Sequence, residues 1–125
     1  AYRDDDMEVL KNKVTGAVSK ICQEEKIRFE SGWKEEFLSL GNAPYPVQII
    51  KNAAGESGLE LIEMDEPFKW SEDFSHFTRR YEGAMFGLGA GTDQPALHNP
   101  DYDFPDEIIG PGINMFFNIC NLINQ

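Results

Sequence analysis

Apolar residues recur at every third or fourth position near the start of the chain, which is the spacing of one stripe on an α-helix. The stripe consists of Met7, Leu10, Val14, Ala17, Val18 and Ile21. Residues 4–6 are aspartates, and acids favour the positive N-terminal end of a helix. The pattern therefore predicts a first helix of about five turns. A second helix is predicted to start with Pro46 in its first turn and to end near Gly55 or Gly58.

Three segments have the pattern of β-strands. Residues 26–30 alternate polar and apolar side chains, residues 59–62 (LELI) are a short candidate strand, and residues 84–89 are apolar on both faces. Residues 1–62 therefore predict a small antiparallel sheet covered by two helices, in the order helix, strand, helix, strand. We expect one further strand of this sheet to precede Ala1, and without it the sheet keeps an open edge. The predicted fold class is α/β.

The character of the chain changes after residue 63, so we expect one domain over 1–63 and a second over 64–125. Ser71 is suited to cap a third helix. The apolar stripe of that helix would be Phe74, Phe77 and Tyr81. Residues 90–106 predict a long loop. Residues 111–123 predict a final helix that is apolar over most of its girth, and such a helix needs burial on more than one side.

The charge is strongly negative and unevenly placed. The chain has 125 residues, 11 Lys and Arg against 22 Asp and Glu, and a formal net charge of −11. Residues 83–125 contain no Lys or Arg. Such a chain repels a phosphate backbone, so nucleic acid is excluded as a partner and cations are favoured.

The sequence also argues against a membrane-spanning protein and against a protein stabilised by a disulfide framework. No apolar run approaches the roughly 18 residues of a spanning helix. The two cysteines, Cys22 and Cys120, lie far apart, which argues against a disulfide framework and suits a reducing, cytoplasmic location. Because the chain begins at Ala1 rather than at a methionine, we expect it to be a piece of something longer.

The strongest candidate for chemistry is His98, in a loop rich in carboxylates. A neutral imidazole among acids is a plausible ligand for Zn²⁺ or Mn²⁺. The alternative is that His98 is an ordinary polar loop residue, with the neighbouring aspartates forming turns and a helix cap. No second histidine stands at a ligand spacing from it, and His76 is expected to be exposed or structural.

Two weaker motifs have simple structural explanations. Glu72 and Asp73 form a candidate acid–base pair, but acids are favoured in the first turn of any helix, and adjacent helical residues point about 100° apart. The glycines of residues 83–91 contain G-x-G twice, yet no Lys-Ser or Lys-Thr follows, so a phosphate-binding loop is not expected.

Three blocks carry a resemblance to a known family. They are Trp70-Ser71-Glu72-Asp73-Phe74-Ser75, then residues 83–91 (GAMFGLGAG), then residues 97–107 (LHNPDYDFPDE). In this order and spacing the chain resembles the C-terminal part of the aminoacylase and carboxypeptidase G-like zinc amidohydrolases. Residues 1–63 resemble that family's lid or dimerisation domain without its first strand. Residues 64–125 resemble the last helix–strand–helix part of its α/β catalytic domain.

The resemblance implies a metal-dependent hydrolase that cleaves amide bonds of N-acyl amino acids or small peptides. Its cofactors would be two divalent metal ions, zinc or alternatively manganese or cobalt, and His98 would be one ligand. The other ligands and the catalytic base of the family lie upstream of the lid, so no catalytic residue is expected in this chain. Alone, it should be inactive and metal-free. Residues at the substrate pocket would be Asn42, Trp70, Ser71, Glu72, Asp73 and Gly89.

Two alternatives to a hydrolase part remain. One is a non-catalytic association module, a truncated relative whose open sheet edge pairs with another chain. The lid also predicts a homodimer for the hydrolase itself. The other is an acidic cation-binding domain, which ranks last because the D-x-D-x-D-G pattern of a calcium loop is absent.

Overall fold

A computed structural model describes residues 3–70 and 72–125 of the chain. The described residues form four α-helices: α1 (Asp4–Glu24), α2 (Pro44–Glu56), the single turn α3 (Ser75–Thr78) and α4 (Ile109–Ile123). A 3₁₀ turn over Asp106–Ile108 leads into α4. The remaining described residues are turns and irregular or extended segments, and no strand occurs among them.

The predicted α/β fold with a small antiparallel sheet is therefore wrong for the described residues, which are helical only. Residues 26–30, 59–62 and 84–89 were each expected to be a strand, and none pairs into a ladder. The alternation of side chains sets only which face is apolar, whereas a strand needs the backbone groups of a neighbour to hydrogen-bond. No backbone hydrogen bond joins any two of these three segments.

The segment at 26–30 has a further reason for not being a strand. Lys26 lies in the left-handed region, with φ 57°. Its N–H donates to Gln23 O at 3.3 Å, and the Ile27 N–H donates to Cys22 O at 2.8 Å. This pair of bonds is a Schellman ending of α1. The first residues of the predicted strand are therefore the cap of the preceding helix.

The helix predictions from periodicity are largely confirmed. α1 starts at the aspartates, although none of them is its N-cap, because Arg3 holds that position without a side-chain bond. α2 starts at Pro44, two residues before the expected proline. It ends in a second Schellman motif, in which Gly58 has φ +65° and Leu59 N–H donates to Ala54 O at 2.9 Å.

The third helix is much shorter than predicted. α3 covers only Ser75–Thr78, so Glu72 and Asp73 precede it instead of forming its first turn. The predicted cap, Ser71, lies outside the described residues. The final helix is confirmed, and it begins at Ile109 after the 3₁₀ turn.

The described residues fall into two compact units, each containing two segments of the chain. The first, called unit 1, comprises the described residues of Ala1–Gly41 and Lys69–Tyr81. The second, called unit 2, comprises Asn42–Phe68 and Glu82–Gln125. Each unit takes residues from both predicted domains, so the units differ from those domains, and the boundary at residue 63 stays a prediction.

Unit 2 contains the apolar core of the described residues, where α2 packs on α4. Ala53, Ala54 and Met115 are buried at its centre. Partly buried around them are Ile50, Leu59, Phe86, Ile119 and Leu122. The two alanines allow close approach of the helices, and Met115 fills the space between them. The final helix was expected to be buried on more than one side, but it is buried on one face, and Ile113, Phe116 and Phe117 are more than 60% exposed.

Candidate functional site

His98 lies in the irregular segment between residue 90 and the 3₁₀ turn, at a tight bend. The Asn99 N–H donates to Ala96 O and the Tyr102 N–H donates to Asn99 O, each at 3.0 Å. The side-chain Oδ1 of Asn99 accepts from the Asp101 N–H at 3.0 Å. The expected turn therefore exists, but it is Asn99 rather than an aspartate whose side chain stabilises it.

The bend presents the imidazole of His98 to solvent. His98 is exposed and has φ 67°, in the left-handed region that few residues other than glycine adopt. No hydrogen bond or ion pair joins its ring to another described residue. Both ring nitrogens are thus accessible to a ligand from outside this loop.

The acids of this loop do not gather around His98. Across residues 3–70 and 72–125, no three side chains of His, Cys, Asp or Glu are arranged to hold a metal ion. A shallow cavity of about 300 Å³ lies nearby, lined by Gln94, Asp103, Phe104, Pro105, Asp106 and Glu107. Its three carboxylates make it acidic, and His98 is not among its lining residues.

Asn42 and Gly89 are the other predicted site residues in unit 2. The Asn42 side chain is bonded to the backbone of Met85, at 3.0 Å through Nδ2 and at 2.9 Å through Oδ1. Gly89 is exposed, and a Cβ added there would meet no atom within 4 Å. No hydrogen bond or ion pair among the described residues joins Asn42, Gly89 and His98 to one another.

Trp70, Glu72 and Asp73 belong to unit 1. Trp70 is 53% exposed, and both acids are exposed at the surface. Their backbone carbonyls support the short helix: Glu72 O accepts from Ser75 Oγ at 3.1 Å, and Asp73 O accepts from the His76 N–H at 3.0 Å. The predicted site residues therefore divide between the two units.

Sequence reasoning missed two polar contacts that organise unit 2. One is the bonding of Asn42 to Met85, across 43 positions of sequence. The other joins the helices: Asn118 Nδ2 donates to Ser57 Oγ at 3.0 Å, and Ser57 Oγ donates to Ala53 O at 2.7 Å. Both contacts are made by residues of common types, so no local signal in the sequence identifies either pair.

The chain is similar to a peptidase family and to several proteins that are named as hydrolases. The family model for peptidase family M20/M25/M40 matches residues 8–121. A probable hydrolase from Synechocystis sp. is 29% identical over 109 residues, which cover 80% of this chain and 27% of that protein. A putative amidohydrolase, YhaA, from Bacillus subtilis is 22% identical over 105 residues, covering 80% of this chain and 26% of YhaA.

A third relative, an uncharacterized hydrolase from Staphylococcus epidermidis, is 25% identical over 125 residues, covering 92% of this chain and 31% of that protein. The chain thus spans between a quarter and a third of the length of these curated relatives. No solved structure matches it. None of the described helices is both long and apolar enough to cross a membrane.

Proposed function

The chain belongs to peptidase family M20/M25/M40, and from this membership we propose that it is part of a metal-dependent hydrolase of amide bonds. The substrates proposed are N-acyl amino acids or small peptides. The observation that carries the proposal is the family match, which extends over residues 8–121 and so includes both units. Relatives named as hydrolases and as an amidohydrolase support the same class.

His98 is the proposed metal ligand of this chain. Two observations support this. The imidazole is exposed and makes no hydrogen bond or ion pair with a described residue, and the backbone of His98 has a sparsely populated conformation. A non-glycine residue in the left-handed region costs of order 1 kcal/mol, and such residues cluster at functional sites. Histidine tolerates this region better than most residues, so the cost here is at the lower end.

The described residues do not by themselves fit a metal site. One imidazole without two further donors nearby leaves a divalent ion mostly hydrated. The two metal ions of the proposed enzyme, zinc or else manganese or cobalt, would therefore need ligands from beyond this chain. For the same reason we propose that the 125-residue chain alone is metal-free and does not turn over substrate.

The remaining predicted residues are proposed as parts of the substrate pocket. Trp70, Glu72 and Asp73 are exposed, as a residue that meets substrate must be, and so is Gly89. Ser71 belongs to this set by sequence and lies outside the described residues. Asn42 has the weakest support of the set, because its amide already bonds to Met85.

A chimera tests the assignment of His98. The chain replaces the matched region of YhaA from Bacillus subtilis, and the purified chimera is compared with its His98→Ala and His76→Ala variants. His76 is the matched control, because it is the other histidine of the chain and is also exposed. Bound zinc, manganese and cobalt are measured by mass spectrometry, and amide hydrolysis is measured with N-acetyl amino acids.

We expect His98→Ala to lose at least one metal ion per chain and most of the hydrolysis, while His76→Ala retains both. A folded His98→Ala chimera with full metal content would overturn the ligand assignment. Metal-dependent release of amino acid by the 125-residue chain alone would overturn its proposed inactivity.

A second candidate function is association, and the surface of α1 favours it. Four apolar side chains of this helix are about half exposed: Val9 at 52%, Leu10 at 50%, Val14 at 46% and Ile21 at 57%. An apolar helix face of this kind is typical of a contact with another chain. We propose a homodimer formed through residues 1–63. Sedimentation of the chain and of a Leu10→Lys, Val14→Lys variant tests it, and a parent chain that sediments as a monomer contradicts it.

A further inference from the structure

The side-chain amide of Asn42 bonds both backbone groups of Met85. Asn42 Nδ2 donates to Met85 O at 3.0 Å, and the Met85 N–H donates to Asn42 Oδ1 at 2.9 Å. Beside it, the Ala43 N–H donates to Gly83 O at 2.9 Å. Two facing residues of an antiparallel ladder exchange N–H and C=O bonds in the same way. The Asn42 amide therefore takes the place of a neighbouring strand at Met85.

This pair of bonds holds a segment whose side chains pack on α4. Next to Met85, Phe86 contacts Phe116 with 5.7 Å between ring centroids. Leu88 Cδ2 would lie 3.4 Å from a Cβ added at Gly112, so the segment and the helix are in close contact there. The two hydrogen bonds of Asn42 add a fixed backbone point at Met85 to this packing.

The same segment leads into the loop that carries His98. From Leu88 the chain passes through residues 89–91, where Gly91 has φ +97°, and reaches the bend at residues 96–102. Where Met85 is held therefore determines where this loop starts. A change of register at Met85 moves the start of the loop by one residue, about 3.3 Å.

We infer that Asn42 is a positioning residue that sets the register of residues 83–88 and, through them, the place of the His98 loop. The part that concerns His98 rests on the proposed function, whereas the bonding of Met85 does not. An asparagine amide has two N–H groups and two acceptor lone pairs, and Met85 uses one of each. Half of the hydrogen-bonding capacity of the Asn42 amide is therefore committed to Met85.

Amide hydrogen exchange of the 125-residue chain, followed by NMR, tests the inference. In Asn42→Ala, both bonds to Met85 are lost, and we expect the Met85 amide to exchange about tenfold faster. The ring signals of His98 should shift as well, which a purely local contact would not cause. Asn42→Asp keeps the acceptor and loses the donor, so its Met85 exchange rate should fall between those of the parent and Asn42→Ala.

Asn52→Ala is the matched control, because Asn52 is an exposed asparagine of unit 2 whose side chain accepts from Gln48 Nε2 at 2.9 Å and does not bond Met85. It should change neither readout. An unchanged Met85 exchange rate in Asn42→Ala would show that the two bonds do not hold Met85, and faster exchange without a shift at His98 would overturn the positioning role. Should Asn42→Ala unfold, Asn42→Asp alone decides by the same two readouts. Failure of the metal-binding proposal appears separately, as unchanged metal content in the His98→Ala chimera.

Discussion

Unit 2 has a cluster of buried apolar side chains, whereas no buried apolar residue occurs among the described residues of unit 1, where several contacts are polar. In unit 2, Ala53 is fully buried and Met115 is 2% exposed. In unit 1, the 21 residues of α1 include no buried side chain. Among the described residues of unit 1, the fully buried one is polar: Ser75, whose hydroxyl donates to Glu72 O.

Several side-chain contacts within unit 1 involve charged residues. Asp4 at the start of α1 accepts from the Ser39 N–H at 2.6 Å and forms an ion pair with Arg79. Two turns further on, Lys11 bonds Glu8 and Glu36, each at 2.8 Å. Buried apolar side chains contribute a few kcal/mol each, and exposed ion pairs contribute at most about 1 kcal/mol. We therefore expect the helix pair of unit 2 to be the most stable part of the described residues.

The largest effect is expected from Met115→Ala. Removing this buried side chain leaves a cavity between α2 and α4, and the free energy of unfolding should fall by about 2–5 kcal/mol. Urea denaturation followed by circular dichroism measures the change. Ile113 is the control on the same helix, because it is 63% exposed. Ile113→Ala should change the unfolding free energy by no more than about 0.5 kcal/mol, and equal losses in the two variants would refute an apolar core at Met115.

The second effect concerns the polar link between the two helices of unit 2. Ser57→Ala removes the acceptor of Asn118 Nδ2 and the bond to Ala53 O, so we expect a loss of about 1 kcal/mol. A double-mutant cycle with Asn118→Ala should give a coupling energy of about 0.5–1 kcal/mol. Asn121→Ala, at an exposed position of α4, serves as the uncoupled control. Strictly additive losses from Ser57→Ala and Asn118→Ala would show that the two side chains do not interact.

The sequence predicts local structure well and contacts between distant segments poorly. α1 satisfies its own backbone within the segment, so its periodicity and its acidic start were enough to place it. Residues 84–89 have an equally clear apolar pattern, but a strand depends on a neighbour that the pattern does not specify. The Gly58 cap of α2 follows from a known glycine preference, whereas Lys26 in the left-handed region does not.

The candidate site follows the same rule. His98 was predicted as a metal ligand from the sequence block around it, which resembles the family, and its role stays a prediction. The turn that exposes it is local. Any further ligand near this imidazole would come from a segment distant in sequence, and the spacing of residues along the chain cannot predict such a contact. The bonding of Asn42 to Met85 was missed for the same reason, since 43 positions separate the two residues.

A third, smaller effect is expected in unit 1 from Asp4→Asn. The substitution removes the charge that pairs with Arg79 and weakens the bond from the Ser39 N–H. Because the Asp4 side chain is 31% exposed, we expect a loss of about 1 kcal/mol or less. Amide exchange at Ser39 reads this contact directly and should become faster. Asp6→Asn is the control, because it makes the same change of charge in the same helical turn at an exposed position. If the Ser39 amide exchanged equally faster in both variants, the effect would come from the helix dipole and not from the contact of Asp4.

The smallest effect is a pH dependence at Lys11. Hydrogen bonds to Glu36 and then Glu8 raise the pKa of Lys11 above its usual value, despite an opposing effect of desolvation. A raised pKa in the folded chain means that this contribution to stability is fully present at neutral pH and is lost as the pH rises through the folded pKa. The Lys11 Nζ lies 5.8 Å from the ring centroid of Trp33, so Trp33 fluorescence reports the loss.

The measurement uses a Trp70→Phe background, so that Trp33 is the fluorescent tryptophan, and compares Lys11 with Lys11→Arg between pH 7 and 12. Fluorescence changes that do not involve residue 11 occur in both proteins, whereas arginine stays charged over this range. The difference between the two curves should therefore show one step above the ordinary lysine pKa of about 10.4. Identical curves would mean that Lys11 does not hold residues 33–36 against α1, and the contacts of Asp4 with Ser39 and Arg79 would then be the ones that tie this helix to the rest of unit 1.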